Sequence, residues 1–585
     1  MFIKYEKKKK ADGSIRTYVR VVEGYRDALG TTRMRSVKSC GYLEDQRNPN
    51  EFINNIKREI IELEKDSSLN FTFTINDSEN KNDAKLNTTY NYGYKYLESI
   101  YDSLDIDSYF DKYQKQLDLK IEYKLKEIFK YFTLQRIMNP DSKRASLSEI
   151  EKFYTKKFNF SLDDTYRSFD LIAPVFNEYQ TEIRKKLDKI VTPDYSRVFY
   201  DVTNYYFEID LEDDEYGYRH RGVSKEHRVD PIIGLGLFMD SNGLPIQIKI
   251  FNGNTAESKT LISGMEELKK KYHETRIIVV ADKGLNTNQN ASKIRENGDG
   301  YIFSQIIRGP KGKRYSEALF EETGWIRVSV EYKYKMYTEK MDGYEQKVLL
   351  YWSKKEYDLA RAKREEKILK ALNSLTNNAF GIRHGYEKYL IDGLVDETTG
   401  EYYTKETLKS KRILDIKKIK EDERYDGYAC LITSELQYGE AEIRQYYHEL
   451  WEIEETFRIT KTNLKYRPIY HYKKEHITVH FMICYTALLV IRLLQYKLKE
   501  NNIRLSAERI IRVLNKLNLD QPSVGYVHLH QIGGAKGFGQ NNQFSGEDDV
   551  FKDYKLINLS FNIEFNKAYE REEKFRNYLN SIIFA

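Results

Sequence analysis

Cysteine is scarce in this 585-residue chain. Cys40, Cys430 and Cys484 stand far apart and form no Cys-x-x-Cys pair, which excludes a disulfide framework and points to a reducing compartment. The first residues, Met-Phe-Ile-Lys-Tyr-Glu-Lys, lack the apolar run of a signal peptide. Long hydrophobic runs are nearly absent too. The exception is Ile477–Leu494, which His480 and Arg492 interrupt, so a buried core helix is expected there and not a membrane span. No internal repeat is visible. The glycine-rich stretch Gly533–Gly539 lacks the GxxxxGK[ST] pattern, which argues against a nucleotide-binding P-loop. Charge of one sign is not dominant either: the net charge is +6, which permits a polyanionic partner without demanding one.

What the chain does have is length and aromatic content. Its 40% hydrophobic residues and 49 tyrosines can fill three or four domains of roughly 150 residues each. Residues 1–48 alternate polar and apolar around turn signals, predicting a β-hairpin region with the basic run Lys7–Lys10 on a solvated edge. Residues 49–90 predict a helix (Glu51–Asp66) and then a polar linker over 76–90. From 91 to 195 the pattern is helical, broken near Asn139-Pro140 and Ala173-Pro174; Lys143 and Arg144, in one of these breaks, suit phosphate contacts or plain solubility.

At Ser196 the texture changes to α/β. Arg197–Asp210 alternates as a strand with Asp201 and Thr203 on one face. Two apolar strands follow, joined by the hairpin signal Asp240-Ser-Asn-Gly243. Asn254 and Glu257 are read as a capping box that opens a helix. The β-branched run Arg276–Asp282 predicts a central strand buried on both faces, with Asp282 at its carboxyl end, where open α/β sheets bind ligands. The first part of this core ends near 305. Residues 306–437 break the rhythm and are expected to form a mostly β insertion. The core resumes over 438–500, and 501–585 is expected to support assembly.

The chemistry concentrates at Tyr447–Lys461. Tyr447, Glu454 and Lys461 recur every seven residues, so one amphipathic helix would aim all three the same way; Arg458 joins them one turn after Glu454. Leu450, Ile453, Phe457 and Leu464 make the adjoining apolar stripe. A carboxylate between an aromatic ring and two cations suits a metal ion gripping phosphate. Asp201, Asp282 and Glu454 together would repel unless a cation sat among them, and hard oxygen donors suit Mg²⁺. Two such ions can clamp the attacking and leaving oxygens of a phosphoryl transfer. The competing carboxylates are Glu208, Asp210, Asp230, Glu452 and Glu455.

Five blocks resemble bacterial insertion-sequence DDE transposases of the insertion-sequence-four superfamily: Tyr200-Asp-Val-Thr-Asn-Tyr-Tyr-Phe-Glu208, Gly222-Val-Ser-Lys-Glu-His-Arg228, Phe251-Asn-Gly-Asn-Thr255, Val280-Ala-Asp-Lys-Gly284 and the segment around Glu454. The family signature in that last segment is Tyr, two residues, Arg, three residues, Glu, six residues, Lys. Here it reads Tyr447, Leu450, Glu454 and Lys461, with leucine where the family has arginine. The resemblance implies an RNase H-like catalytic domain of mixed sheet and helices interrupted by a β-rich insertion. It implies Asp201, Asp282 and Glu454 as the metal-binding triad, Mg²⁺ (two ions, with Mn²⁺ able to substitute) as cofactor, and Tyr447 and Lys461 as holders of the transposon-end backbone.

The expected function is cut-and-paste transposition in a bacterial, nucleoid-associated cytoplasmic setting, with no membrane partner. The partners would be double-stranded DNA (terminal inverted repeats and target) and a second copy of the chain in a synaptic complex. The alternatives are an RNase H-like nuclease or resolvase without strand transfer, and a domesticated DNA-binding protein without catalysis. Lys225 and Arg228, in a basic loop with Arg219 and Arg221, are candidate DNA contacts. The histidines His471, His476 and His480, and the pair His528 and His530, fit no common zinc spacing and are read as packing. Trp325 and Trp352 are read as core residues.

Overall fold

A computed structural model describes residues 2–9, 15–26, 32–46, 48–66, 89–225, 228–272, 276–377, 385–394, 410–523, 525–530, 548–563 and 569–584. Most of the linker expected at 76–90, and the Gly533–Gly539 loop, lie outside these. The chain divides into two compact units, Met1–Asp83 and Ala84–Ala585.

In the first unit, Phe2–Lys9, Ile15–Arg26 and Thr32–Tyr42 form an antiparallel three-stranded sheet. The helix Pro49–Asp66 supplies Ile56 and Ile60, which bury against Val19 and Val21 of the central strand.

The second unit is built on a nine-stranded sheet. Arg197–Tyr206, Ile232–Met239 and Pro245–Asn252 form an antiparallel meander. The hairpin between the last two turns at Gly243, whose φ of +78° favours glycine, and the Asp240 carboxylate accepts from the backbone N–H groups of Asn242 and Leu244. After the helix Thr260–Tyr272 the chain returns as Ile278–Ala281, parallel to the first strand, and then as Gly300–Ser304, parallel to that. Counted along the chain, these five strands lie in the order third-second-first-fourth-fifth. The Ile278–Ala281 strand is wholly buried, as its β-branched run predicts.

Residues 306–437 alternate helices (Gly309–Phe320, Lys354–Asn377, Ile416–Glu423) with strands. Four of those strands, Tyr428–Thr433, Tyr344–Ser353, Tyr332–Met341 and Ile326–Arg327, continue the same sheet as antiparallel neighbours beyond Gly300–Ser304.

One face of the sheet packs on the helices of 94–190 around the 27-residue helix Lys474–Glu500. That helix is long and apolar enough to cross a membrane, but its apolar window is entirely buried inside the protein, as the interruptions by His480 and Arg492 lead one to expect. Arg492 is buried too. Its guanidinium donates to the Gly243 carbonyl (3.1 Å) and pairs with Glu452 (2.5 Å), so the core helix grips both the hairpin turn and the segment carrying Glu454. A second buried pair, Arg184 with Asp240 (2.8 Å), ties the helix Phe176–Ile190 to the same turn.

Candidate active site

Strand register builds the site. Arg197, Val198 and Phe199 pair in parallel with Ile278, Val279 and Val280. Two residues further on the same register brings Asp201 beside Asp282, just where the second strand ends. On the other side Ala281 pairs with Phe303, which sets Ser304 next to Asp282, and the Ser304 hydroxyl donates to Asp282 Oδ1 at 2.6 Å. The Tyr447 hydroxyl donates to the same oxygen at 3.2 Å.

The two aspartates differ electrostatically. Burial pushes the Asp201 pKa up to about 6; Lys225 and the Val202 N–H oppose this, while Glu257 and Asp282 add to it. Burial also works against the Asp282 carboxylate, but the Ser304 hydroxyl, the Lys283 N–H and charge and the Tyr447 hydroxyl outweigh it and hold its pKa below the ordinary value. At Tyr447 itself, burial first and then the charges of Asp282 and Glu454 push the phenol well up. Glu454 thus lies within electrostatic reach of the aspartates' partner. It is exposed, and among the described residues the oxygens of Asp201, Asp282 and Glu454 do not all fall within 4.8 Å of one another.

Two expectations about this segment are corrected. Tyr447–Lys461 is not one helix. Glu440–His448 ends, Trp451–Arg458 begins, and a π-turn follows over Ile459–Asn463. At the junction the N–H groups of Leu450, Glu452 and Ile453 bond to carbonyls three residues back, a tighter turn than α. The apolar stripe is buried as expected at Leu450, Ile453, Phe457 and Leu464. Leu450 is therefore a core residue, in place of the family's arginine. Arg458 turns away from Glu454 and pairs with Glu455 at 2.6 Å. Lys461 is half-buried in the π-turn.

Asn254 caps no helix: the following 3₁₀ turn begins at Glu257 after Ala256, without a side-chain cap. Glu257 faces the site, its Oε1 3.2 Å from Lys225 Nζ. Lys225 lies on the carboxylates, 3.7 Å from Asp201 and donating to the Val202 carbonyl at 2.5 Å. Arg228 stacks on the Tyr206 ring at 3.7 Å and pairs with Asp230 at 2.8 Å. Of the competing carboxylates, Asp210 pairs with Arg221, Asp230 with Arg228, Glu452 with Arg492 and Glu455 with Arg458; Glu208 is exposed. Sequence reasoning missed Ser304 and the position of Glu257. The signal for Ser304 was its place at the end of the strand after Asp282's.

Elsewhere, both readings of Lys143 are corrected: it is neither solvated nor offered to a phosphate but buried against the Phe132 and Phe169 rings. His471, driven down to about 3 by burial, and the fully buried His480 are neutral packing groups. Trp325 and Trp352 are half-buried and not core residues; they donate their indole N–H groups to the Glu321 and Asp426 carbonyls.

Residues 3–70 match the family profile "IS1634 family transposase, N-terminal domain", and residues 217–490 match "Transposase DDE domain". The chain belongs to the insertion-sequence DDE transposases. The matched span of the transposase includes Asp282, Tyr447, Glu454 and Lys461 but begins after Asp201; strand register sets Asp201 beside Asp282. Among solved structures, a Mos1 transposase paired-end complex with left transposon end matches at 12% identity over 44% of this chain and 68% of that one. Its TM-score is 0.14, a likeness too weak to bear on the fold. No curated protein matches the transposase in sequence.

Proposed function

We propose that this transposase recognises the terminal inverted repeats of its element, cuts at their ends and joins the freed 3′-hydroxyls to target DNA. Asp201, Asp282 and Glu454 serve as the triad that holds two Mg²⁺ ions, with Mn²⁺ able to substitute. The observation that carries this reading is the in-register placement of Asp201 beside Asp282 with Tyr447 on the latter.

The donor set fits hard divalent cations. It is all oxygen, and an ammonium, that of Lys225, already lies against Asp201 and Glu257 as a stand-in for positive charge. When bound, the ions supply Lewis-acid stabilisation and activate water or a 3′-hydroxyl. The chain's own groups do the rest. Ser304 and Tyr447 orient the Asp282 carboxylate. Lys225, beside Asp201 and Glu257, would offset carboxylate charge and could pair with a phosphate at the site. Arg228, Arg458 and Lys461 are drawn to the DNA backbone; Arg228 and Arg458 exchange half-buried carboxylate partners for phosphates. Two ends call for two active sites, hence a homodimer in the synaptic complex, acting on DNA in the bacterial cytoplasm.

The test is cleavage and strand transfer with pre-cut ends. Asp201→Asn, Asp282→Asn and Glu454→Gln should each lower both steps on the order of 10³-fold or more while end binding persists. Full cleavage by any of the three removes that residue from the triad. Cleavage by the wild type with no strand transfer reduces the enzyme to a nuclease.

A further inference from the structure

His528 and His530 have no third ligand nearby in sequence, but the strand register supplies one. The hairpin Asn518–Ser523 with Tyr526–Leu529 pairs Leu519 with Leu529 and Asp520 with His528. Leu519 and Leu529 are buried. By strand alternation Asp520, His528 and His530 therefore project from the opposite face. His530 Nε2 is 2.8 Å from Asp520 Oδ2, and His528 Nδ1 is 4.0 Å from the same oxygen. One donor atom from each residue lies within 4.8 Å of the others, and no other such group of histidine, cysteine or carboxylate ligands occurs among the described residues. In a tetrahedral zinc shell, neighbouring donor atoms sit about 3.3 Å apart, a value these separations bracket.

The surroundings hold the trio in place. Thr89 donates to the other Asp520 oxygen at 2.8 Å, fixing the carboxylate as outer partners of metal ligands do. The His528 ring stacks on Tyr569 at 4.5 Å. A plain ion pair would use one imidazole only, whereas here two converge on one carboxylate.

We propose that Asp520, His528 and His530 bind one Zn²⁺, with water completing its shell, as a staple in the four-stranded sheet that joins Tyr90–Asn91 to the C-terminal strands, Tyr569–Arg571 among them. Imidazole donors favour zinc over the hard cations of the catalytic site, so the two sites are chemically separate.

The experiment strips the full-length chain with a chelator and titrates Zn²⁺ in excess Mg²⁺ against a chromophoric competitor, with thermal unfolding read in parallel. The expected result is one Zn²⁺ per chain and a rise in Tm on binding. His528→Ala and His530→Ala should each weaken binding about 100-fold or more, and Thr89→Ala about 10- to 100-fold; Asp201→Asn should leave it unchanged. Should an alanine variant fail to fold, His530→Gln and the absorption spectrum of the Co²⁺-loaded wild type decide: weak, octahedral-type bands overturn the proposal. So do the absence of stoichiometric zinc, undiminished affinity in His528→Ala, and loss of the site in Asp201→Asn.

Discussion

Asp201 carries the most consequential perturbation in the molecule. With a pKa of about 6, it is still gaining protons where an ordinary aspartate is fully ionised. Divalent-metal affinity of the free enzyme should therefore fall as pH drops through about 6, measurable by Mn²⁺ titration; a midpoint near 4 would contradict the burial argument. The sign for folding follows. An acid whose pKa rises on folding costs stability as pH climbs from the unfolded value of 3.8 through about 6, and a bound cation restores it. Lys225→Met removes the charge that holds this pKa down, so the same midpoint should move upward. Ser304→Ala should raise the Asp282 pKa toward the ordinary range and weaken metal binding. The position of Asp282 was legible in the sequence because a buried β-branched strand announces its own carboxyl end. Lys225 was not: a basic loop looks alike whether it faces DNA or folds back onto acids. Asp520 was invisible as a ligand because cross-strand register is not written in local spacing.

The segment carrying Glu454 shows what periodicity can and cannot say. Its stripe of Leu450, Ile453, Phe457 and Leu464 was readable, since burial follows helical spacing. The break after His448 was not, because a 3₁₀ junction changes direction without disturbing that spacing. Arg492 clamps this segment to the hairpin turn through Glu452 and the Gly243 carbonyl. Arg492→Met should cost about 2–3 kcal/mol in denaturant unfolding and lower cleavage more than DNA binding; an unchanged midpoint would mean that apolar packing alone seats the helix. The strands between 326 and 433 were readable as β, but not their continuation of the main sheet. Their half-exposed alternation suits an edge hairpin as well as a sheet extension.

At the scale of the whole molecule, the helix Lys474–Glu500 is the element on which the helical layer and the sheet converge. Leu489→Ala at its centre should destabilise by about 2–5 kcal/mol, whereas a chain beginning at Ala84 should keep the large unit's unfolding transition, because Met1–Asp83 has its own core. The long-range design of the site also has a meaning in time. Glu454 is made 253 residues after Asp201 (454 − 201), and at about 5–20 residues per second that interval lasts roughly 13 to 50 seconds on the ribosome. The core helix that seats Glu454 emerges later still. With the triad as proposed, the nascent chain can expose its basic N-terminal sheet, and both aspartates, long before it can cut. Synthesis itself thus delays nuclease activity until the protein is nearly whole.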